Sequence, residues 1–137
     1  MPQDNEKNSE MMEKIREEAE NVNEGDVKQV SDRAEEIHGK LDDLPGRFAK
    51  VRKQAGLLVE MIRDYAKGDY RDVPWTTVSA GTVAALYVLT PFDIIPDWIP
   101  GIGYLDDAMV LGLVLLAIRE DMKAYCTFKG YDPGEYF

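Results

Sequence analysis

Apolar residues recur at spacings of three and four along the first half of the chain, a pattern typical of amphipathic helices. A short stripe runs from Met12 to Val22, where Asn23-Glu24-Gly25 interrupts it. A second, longer stripe follows over residues 27–65. Either it packs on the protein's own core, or it forms the seam of a homo-oligomer, and both interpretations stay open. That stripe keeps a heptad spacing over twelve positions: Val27, Val30, Ala34, Ile37, Leu41, Leu44, Phe48, Val51, Ala55, Leu58, Ile62 and Tyr65.

Helix-breaking residues divide the long stripe into two predicted helices. Leu44-Pro45-Gly46 argues against one continuous rod, so we expect helices over about residues 26–40 and 44–67. Asp26 is expected to cap the first helix and the Asp42-Asp43 pair the second, because Asp side chains accept from free N–H groups. Lys67-Gly68 should close the second helix.

Two uncharged segments follow and predict apolar helices. Residues 73–92 contain no charged side chain, and Asp72 stands before them as a candidate cap. A second uncharged run covers residues 108–118, and we expect its helix to extend to about Phe128. No sustained apolar/polar alternation occurs along the chain, so the predicted fold class is all-α, a small helical bundle.

Small residues four apart occur on both apolar helices and favour close packing between them. If the two helices run back antiparallel as a central hairpin, these positions come level. The predicted contact residues are Gly81, Ala85, Ala108 and Gly112.

A corner rich in Pro and Asp joins the two apolar helices. It reads Pro-Phe-Asp-Ile-Ile-Pro-Asp-Trp-Ile-Pro-Gly-Ile-Gly-Tyr-Leu-Asp-Asp over residues 91–107, and no Lys or Arg occurs between Arg71 and Arg119. A structural interpretation assigns its carboxylates to helix caps and turns. The candidate functional residues of this corner are Asp93, Pro96, Asp97, Pro100, Gly103, Asp106 and Asp107.

The alternative interpretation of this corner is a site for Mg²⁺ or Ca²⁺, which bind carboxylate oxygens. Asp93, Asp97 and Asp106 are the candidate metal ligands, although their spacing matches no known calcium loop. No cofactor is otherwise expected. We assign no catalytic residue, because no nucleophile, base or phosphate-binding motif accompanies these carboxylates.

Composition narrows the classes of partner. The formal net charge of −10 disfavours nucleic acid as a partner. Residues 45–72 reverse the sign, with seven basic and four acidic side chains. Such a segment suits anionic lipid or an acidic protein. Cys126 is the only cysteine, which fits a reducing compartment, and the only histidine, His38, lies in a polar stretch.

The run from Tyr87 to Ala108 resembles the YkvA-like family of small, mainly bacterial proteins of uncharacterised function. The shared signature is Pro-x-Asp-x-x-Pro-Asp-x-x-Pro-x-x-Gly-x-x-Asp-Asp, and the chain follows it without departure from Pro91 to Asp107. Upstream, Asp64-Tyr65 and Pro74-Trp75 are also similar to the family's lead-in. The resemblance covers roughly residues 44–125. It implies an all-helical domain that is often membrane-embedded, and it implies no known activity.

The choice between a membrane-spanning and a peripheral protein is open from the sequence. Residues 73–92 are long enough to span a bilayer, but several Thr, Ser and Gly residues weaken that signal. Lys67 and Arg71 before the pair and Arg119 and Lys123 after it would satisfy the positive-inside rule for a hairpin. We favour a soluble or peripheral bundle over a membrane-spanning hairpin.

The sequence therefore predicts one helical domain over residues 26–128. An acidic, partly disordered arm over 1–25 precedes it, and a flexible tail over 129–137 follows. The predicted role is a binding or scaffolding module at the cytoplasmic face of a membrane, with a protein or the membrane surface as partner. The alternative is an integral two-helix protein of the inner membrane. A divalent-cation-binding protein or hydrolase is third.

Overall fold

The computed structural model describes the backbone of residues 2–89 and 107–137, and the side chains of residues 9–89 and 111–137. All elements within these ranges are helical, which confirms the all-α fold class. We number the α-helices α1 (Pro2–Glu20), α2 (Glu24–Asp32), α3 (Ala34–Asp42), α4 (Ala49–Lys67), α5 (Trp75–Leu89), α6 (Asp107–Ala117) and α7 (Arg119–Lys129). Short 3₁₀ turns occupy Gly46–Phe48 and Pro133–Glu135.

The N-terminal segment is a helix that packs on the rest of the protein. Met11 and Ile15 of α1 are each 1% exposed, and α1 contacts α5 and α6. The prediction of a partly disordered arm over residues 1–25 therefore differs from the structure of its described part. The acidic composition of this segment suggested disorder. The apolar residues on one face of α1 nevertheless pack on the bundle, and such packing stabilises a helix.

The cap of α2 lies three residues earlier than predicted. Asn23 is the capping residue: its Oδ1 accepts from the Asp26 N–H at 3.0 Å, and Asp26 Oδ2 accepts from the Asn23 N–H at 3.0 Å. This reciprocal pair is a capping box, in which each side chain satisfies the other's backbone donor. Asp26 thus contributes to the cap from inside the helix.

The predicted helix over 26–40 is two helices, α2 and α3, separated at Arg33. The φ of −107° and ψ of 20° at Arg33 leave the helical region, although the Arg33 carbonyl still accepts from Ile37 N–H at 3.0 Å. After the Pro45 break, α4 begins at Ala49 without a side-chain cap, so the assignment of a cap to Asp42-Asp43 is wrong. The predicted end is confirmed, because Gly68 closes α4 with a φ of +84°.

Helix α5 lies at the centre of the bundle. It contacts α1, α2, α3, α4 and α6, which explains why its sequence is uncharged on every side. Two of its buried hydroxyls are hydrogen-bonded: Thr82 donates to the Val78 carbonyl at 2.8 Å, and Thr77 donates to Asp121 of α7 at 2.5 Å. No helix within residues 2–89 and 107–137 is long and apolar enough to cross a membrane.

The last helical stretch is also divided. The uncharged run ends with α6 at Ala117, and Ile118 leaves the helical region before α7 continues to Lys129. Gly130 closes α7 with a φ of +77°. The tail after it, predicted to be flexible, packs back on α4. Gln54 Nε2 donates to the Tyr136 carbonyl at 2.7 Å, and Lys53 Nζ donates to the Glu135 carbonyl at 3.2 Å.

The heptad stripe is buried within this chain. Val30, Ile37 and Ile62 have no measurable exposure and Leu58 is 1% exposed, because α2 and α3 pack on α4 and the stripes of all three helices meet. The intramolecular interpretation of the stripe is the one the structure supports. A homo-oligomer through residues 27–65 stays a prediction.

Candidate functional site

Most of the corner singled out in the sequence lies outside the described residues. This holds for Asp93, Pro96, Asp97, Pro100, Gly103 and Asp106, and with them the candidate metal site of Asp93, Asp97 and Asp106. Asp107 begins α6, but its side chain is also outside the described part. Elsewhere in that part no group of His, Cys, Asp or Glu side chains is arranged to hold a metal ion. The cation site stays a prediction.

The small residues of the apolar helices are not all used as predicted. A Cβ built on Gly81 would lie 2.7 Å from Leu58 Cδ1 and 3.5 Å from Ile62 Cδ1, so the close approach at Gly81 is made with α4. No described atom lies within 4 Å of a Cβ built on Gly112. Ala85 is buried in the core, and the Ala108 side chain is outside the described part. Close packing through all four positions stays a prediction.

A group of basic residues covers one side of α4 and its two ends. We call Arg47, Lys50, Arg52, Lys53, Arg63, Lys67 and Arg71 the basic collar. Among the described residues, none of the seven lies within 4.0 Å of a carboxylate oxygen, whereas Lys14, Arg33, Lys123 and Lys129 all do. The collar therefore presents positive charge that the acids in the described part of the chain leave uncompensated.

The C-terminal end of the collar is combined with aromatic rings. The Arg71 guanidinium lies 4.3 Å from the centroid of the Tyr65 ring, and that ring lies 6.1 Å from the ring of Trp75. Trp75 is 39% exposed at the start of α5. Cationic side chains beside a half-exposed Trp and Tyr are the composition that protein surfaces show at a membrane–water interface.

A cavity opens beside Trp75, between α1, the start of α5 and the end of α6. Its volume is about 540 Å³, and most of its wall surface is apolar. Arg16 and Glu20 are the charged residues that line it. Leu116, adjacent in sequence to the wall residue Ala117, is 68% exposed. This end of the bundle thus carries exposed apolar side chains beside a concave surface.

A second cluster joins α7 and the tail to α4. Tyr125 and Lys129 of α7 both donate to Asp64 Oδ2, Lys129 at 3.3 Å. Lys129 also lies 3.5 Å from Glu60 Oε1, which accepts from the Tyr131 hydroxyl at 2.7 Å. Every polar group of this cluster has a partner, so its role is to fix α7 on α4.

The environment of this cluster favours protonated forms. Burial, followed by the hydrogen bond to Asp64, raises the pKa of Tyr125 well above its usual range. The hydrogen bond to Asp64 raises the pKa of Lys129, and the hydrogen bond to Glu60 raises the pKa of Tyr131. Burial likewise raises the pKa of the Cys126 thiol, which leaves this buried cysteine unreactive.

Sequence reasoning missed both the cavity and the α4–α7 cluster. The cavity brings together positions from α1, α5 and α6 that are distant in the chain, and no local pattern indicates it. The cluster did leave a signal: Glu60 and Asp64 are four apart, as are Tyr125 and Lys129, so each pair lies on one helix face. His38 is exposed beside Gly56 of α4, in agreement with its predicted polar setting.

Comparisons with known proteins match the part of the chain that contains the Pro/Asp-rich corner. Residues 81–113 match a family described as "Protein of unknown function (DUF1232)". A stretch of 66 residues is 44% identical to the "Uncharacterized membrane protein YkvA" of Bacillus subtilis (strain 168), covering 48% of this chain and 62% of that protein. No solved structure matches the chain. The resemblance of this chain to the YkvA-like family is thus confirmed.

Proposed function

We propose that this protein is a helical module that binds peripherally to an anionic membrane surface, at the cytoplasmic face of the inner membrane. The observation that carries the proposal is the basic collar, whose seven cations have no carboxylate within 4.0 Å among the described residues. Each Lys or Arg held near an anionic surface contributes about 1 kcal/mol of attraction. The relative in Bacillus subtilis bears the name of a membrane protein, which supports the same setting.

Orientation has to overcome the overall charge. The net charge of −10 repels an anionic surface, and residues 1–44 hold fourteen of the acidic side chains. Binding therefore requires that the collar face the lipid while the acidic helices α1 to α3 face water as far as the bundle allows. Trp75 and Leu116 add apolar side chains at the end of the bundle where Lys67 and Arg71 lie.

The test is co-sedimentation with vesicles. We expect the protein to sediment with phosphatidylglycerol vesicles and to remain in the supernatant with pure phosphatidylcholine, and added salt should release it. The variant Arg63→Gln/Lys67→Gln/Arg71→Gln should weaken binding by about 3 kcal/mol, roughly a hundredfold.

A matched control separates the collar from general charge effects. The variant Lys14→Gln/Arg33→Gln/Lys123→Gln changes the net charge by the same amount, but each of its three cations is already paired with a glutamate. It should bind anionic vesicles nearly as the parent does. Equal weakening by the two triple variants, or equal binding to neutral and anionic vesicles, would refute the proposal.

A further inference from the structure

The cavity beside Trp75 has the dimensions and walls of a ligand site. Its volume of about 540 Å³ lies within the range of roughly 300–1,000 Å³ that small-molecule sites occupy. Helices α1, α5 and α6, which are distant in sequence, contribute to it. The aliphatic wall residues are Met12, Ile15, Ala19, Ala80, Ala117 and Ile118.

The remaining wall residues are Trp75 and five polar or charged residues: Arg16, Glu20, Thr76, Thr77 and Ser79. Ser79 is 2% exposed, and its Oγ is the buried side-chain atom that lacks a hydrogen-bond partner among the described residues. Arg16 is exposed, and no carboxylate in the described part of the chain lies within 4.0 Å of its guanidinium, although Glu20 also lines the cavity. Apolar walls with a free cation and an unsatisfied hydroxyl suit an amphipathic ligand.

We propose that this cavity holds one acyl chain of an anionic membrane lipid, with the acidic headgroup beside Arg16. The aliphatic walls match a flexible hydrocarbon, which needs no directed hydrogen bonds. The guanidinium matches a carboxylate or phosphate oxygen.

The position of the cavity supports this choice of ligand. Trp75 lines the cavity and is 39% exposed. Its ring contacts the ring of Tyr65, so the cavity lies at the same end of the bundle as Lys67 and Arg71 of the collar. A protein that rests on the lipid with the end of the bundle carrying Lys67, Arg71 and Trp75 would bring this opening toward the bilayer. The inference rests on the proposed membrane binding, and one acyl chain is the part of the lipid that the cavity would hold.

Trp75 provides a direct reporter of occupancy. The chain has two tryptophans, and Trp98→Phe leaves Trp75 as the only one. We expect dibromostearic acid, added without vesicles, to quench the Trp75 emission in a saturable manner, and bromine-free stearic acid to reverse the quenching by competition. If Trp98→Phe fails to fold, the same titration compares the parent with Trp75→Phe, which should lose the saturable part.

Filling the cavity should remove the binding. Ala80→Phe and Ala19→Phe add volume from α5 and from α1, and each should weaken binding of the brominated acid at least tenfold. Ala124→Phe, on the exposed face of α7, is the matched control and should bind as the parent does. Arg16→Gln should weaken binding of the acid about tenfold while leaving the corresponding brominated alcohol unaffected.

The two proposals fail in different ways. The triple collar variant should still bind the free acid, and the cavity-filling variants should still bind anionic vesicles. Quenching that does not saturate, or that is the same in the two cavity-filling variants and the parent, overturns the acyl-chain inference and leaves vesicle binding standing. Loss of vesicle binding selectivity overturns the proposed function, even where the free acid binds.

Discussion

Two glycines in the apolar helices have similar sequence surroundings but different structural surroundings. Gly81 and Gly112 both sit in uncharged runs beside alanines four residues away. The structure separates them, because Gly81 is covered by Leu58 and Ile62 whereas no described atom lies near the Cβ position of Gly112. Glycine costs about 1 kcal/mol relative to alanine inside a helix. The close approach of Leu58 offsets that cost at Gly81, whereas no described atom gives Gly112 such a reason.

The two glycines should therefore respond differently to alanine. Gly112→Ala should stabilise the protein by about 0.5–1 kcal/mol, since the helix gains propensity without a clash. Gly81→Ala should show little or none of that gain, because Leu58 is buried and its Cδ1 would have to move from 2.7 Å. Gly81→Leu should cost about 1–3 kcal/mol by overpacking. Urea unfolding of the three variants tests this, and equal gains for both alanines would contradict it.

At the scale of elements, polar contacts hold α7 and the C-terminal tail on α4. Helix α7 has few contacts with α4, yet Tyr125 and Lys129 reach Asp64, and Glu60 accepts from Tyr131 of the tail. The rings of Tyr70 and Tyr125 lie 4.9 Å apart in an edge-on arrangement and cover this cluster. Because the Tyr125 side chain is fully buried, its hydroxyl has no water to replace Asp64.

Removing the Tyr125 hydroxyl should loosen α7. Tyr125→Phe leaves Asp64 with one donor fewer, and hydrogen bonds to charged groups contribute about 1.5–3 kcal/mol. Tyr131→Phe is the matched control, because its partner Glu60 keeps Lys129 and the site is more exposed, so its cost should be smaller. The measurement is thermal unfolding at neutral pH. A larger loss for Tyr131→Phe than for Tyr125→Phe would show that the cluster does not hold α7.

The same cluster predicts an alkaline transition. The pKa of Tyr125 is raised in the folded protein, so folding keeps a proton that the unfolded chain releases. Its contribution is fully present below the ordinary tyrosine pKa of about 10 and is lost as the pH rises above that value. The free energy of unfolding of the parent should fall from about pH 10 upward, and Tyr125→Phe should fall less steeply. Parallel pH profiles for the two proteins would exclude this source.

At the scale of the whole molecule, the long heptad stripe serves the core of one chain. Leu58, a residue of this stripe, lies beneath Gly81 of the central helix α5 and is 1% exposed. A stripe of this period would serve equally well as a coiled-coil seam. The presence of α5 between the stripe and solvent is what distinguishes the two arrangements.

A lysine on the stripe should therefore unfold the protein rather than separate two copies. Leu58→Lys would bury a charge without a partner in the core, and we expect a loss of at least about 3 kcal/mol or no folded protein. Ala49→Lys, on an exposed position of the same helix, is the control and should be neutral. Circular dichroism and light scattering decide the question. A Leu58→Lys variant that stays folded while a parent dimer becomes monomeric would restore the seam.

The sequence by itself determined the helical class, the apolar faces and the glycine that closes α4, because these depend on the spacing of side chains within a few residues. It also carried the resemblance to the YkvA-like family through the motif that begins at Pro91. Only the tertiary structure decided that α1 packs on α5, that Gly81 meets α4, and that Asp64 meets Tyr125. Those pairings join residues far apart in the chain, and the free energy that selects them comes from burying complementary surfaces that no local spacing encodes.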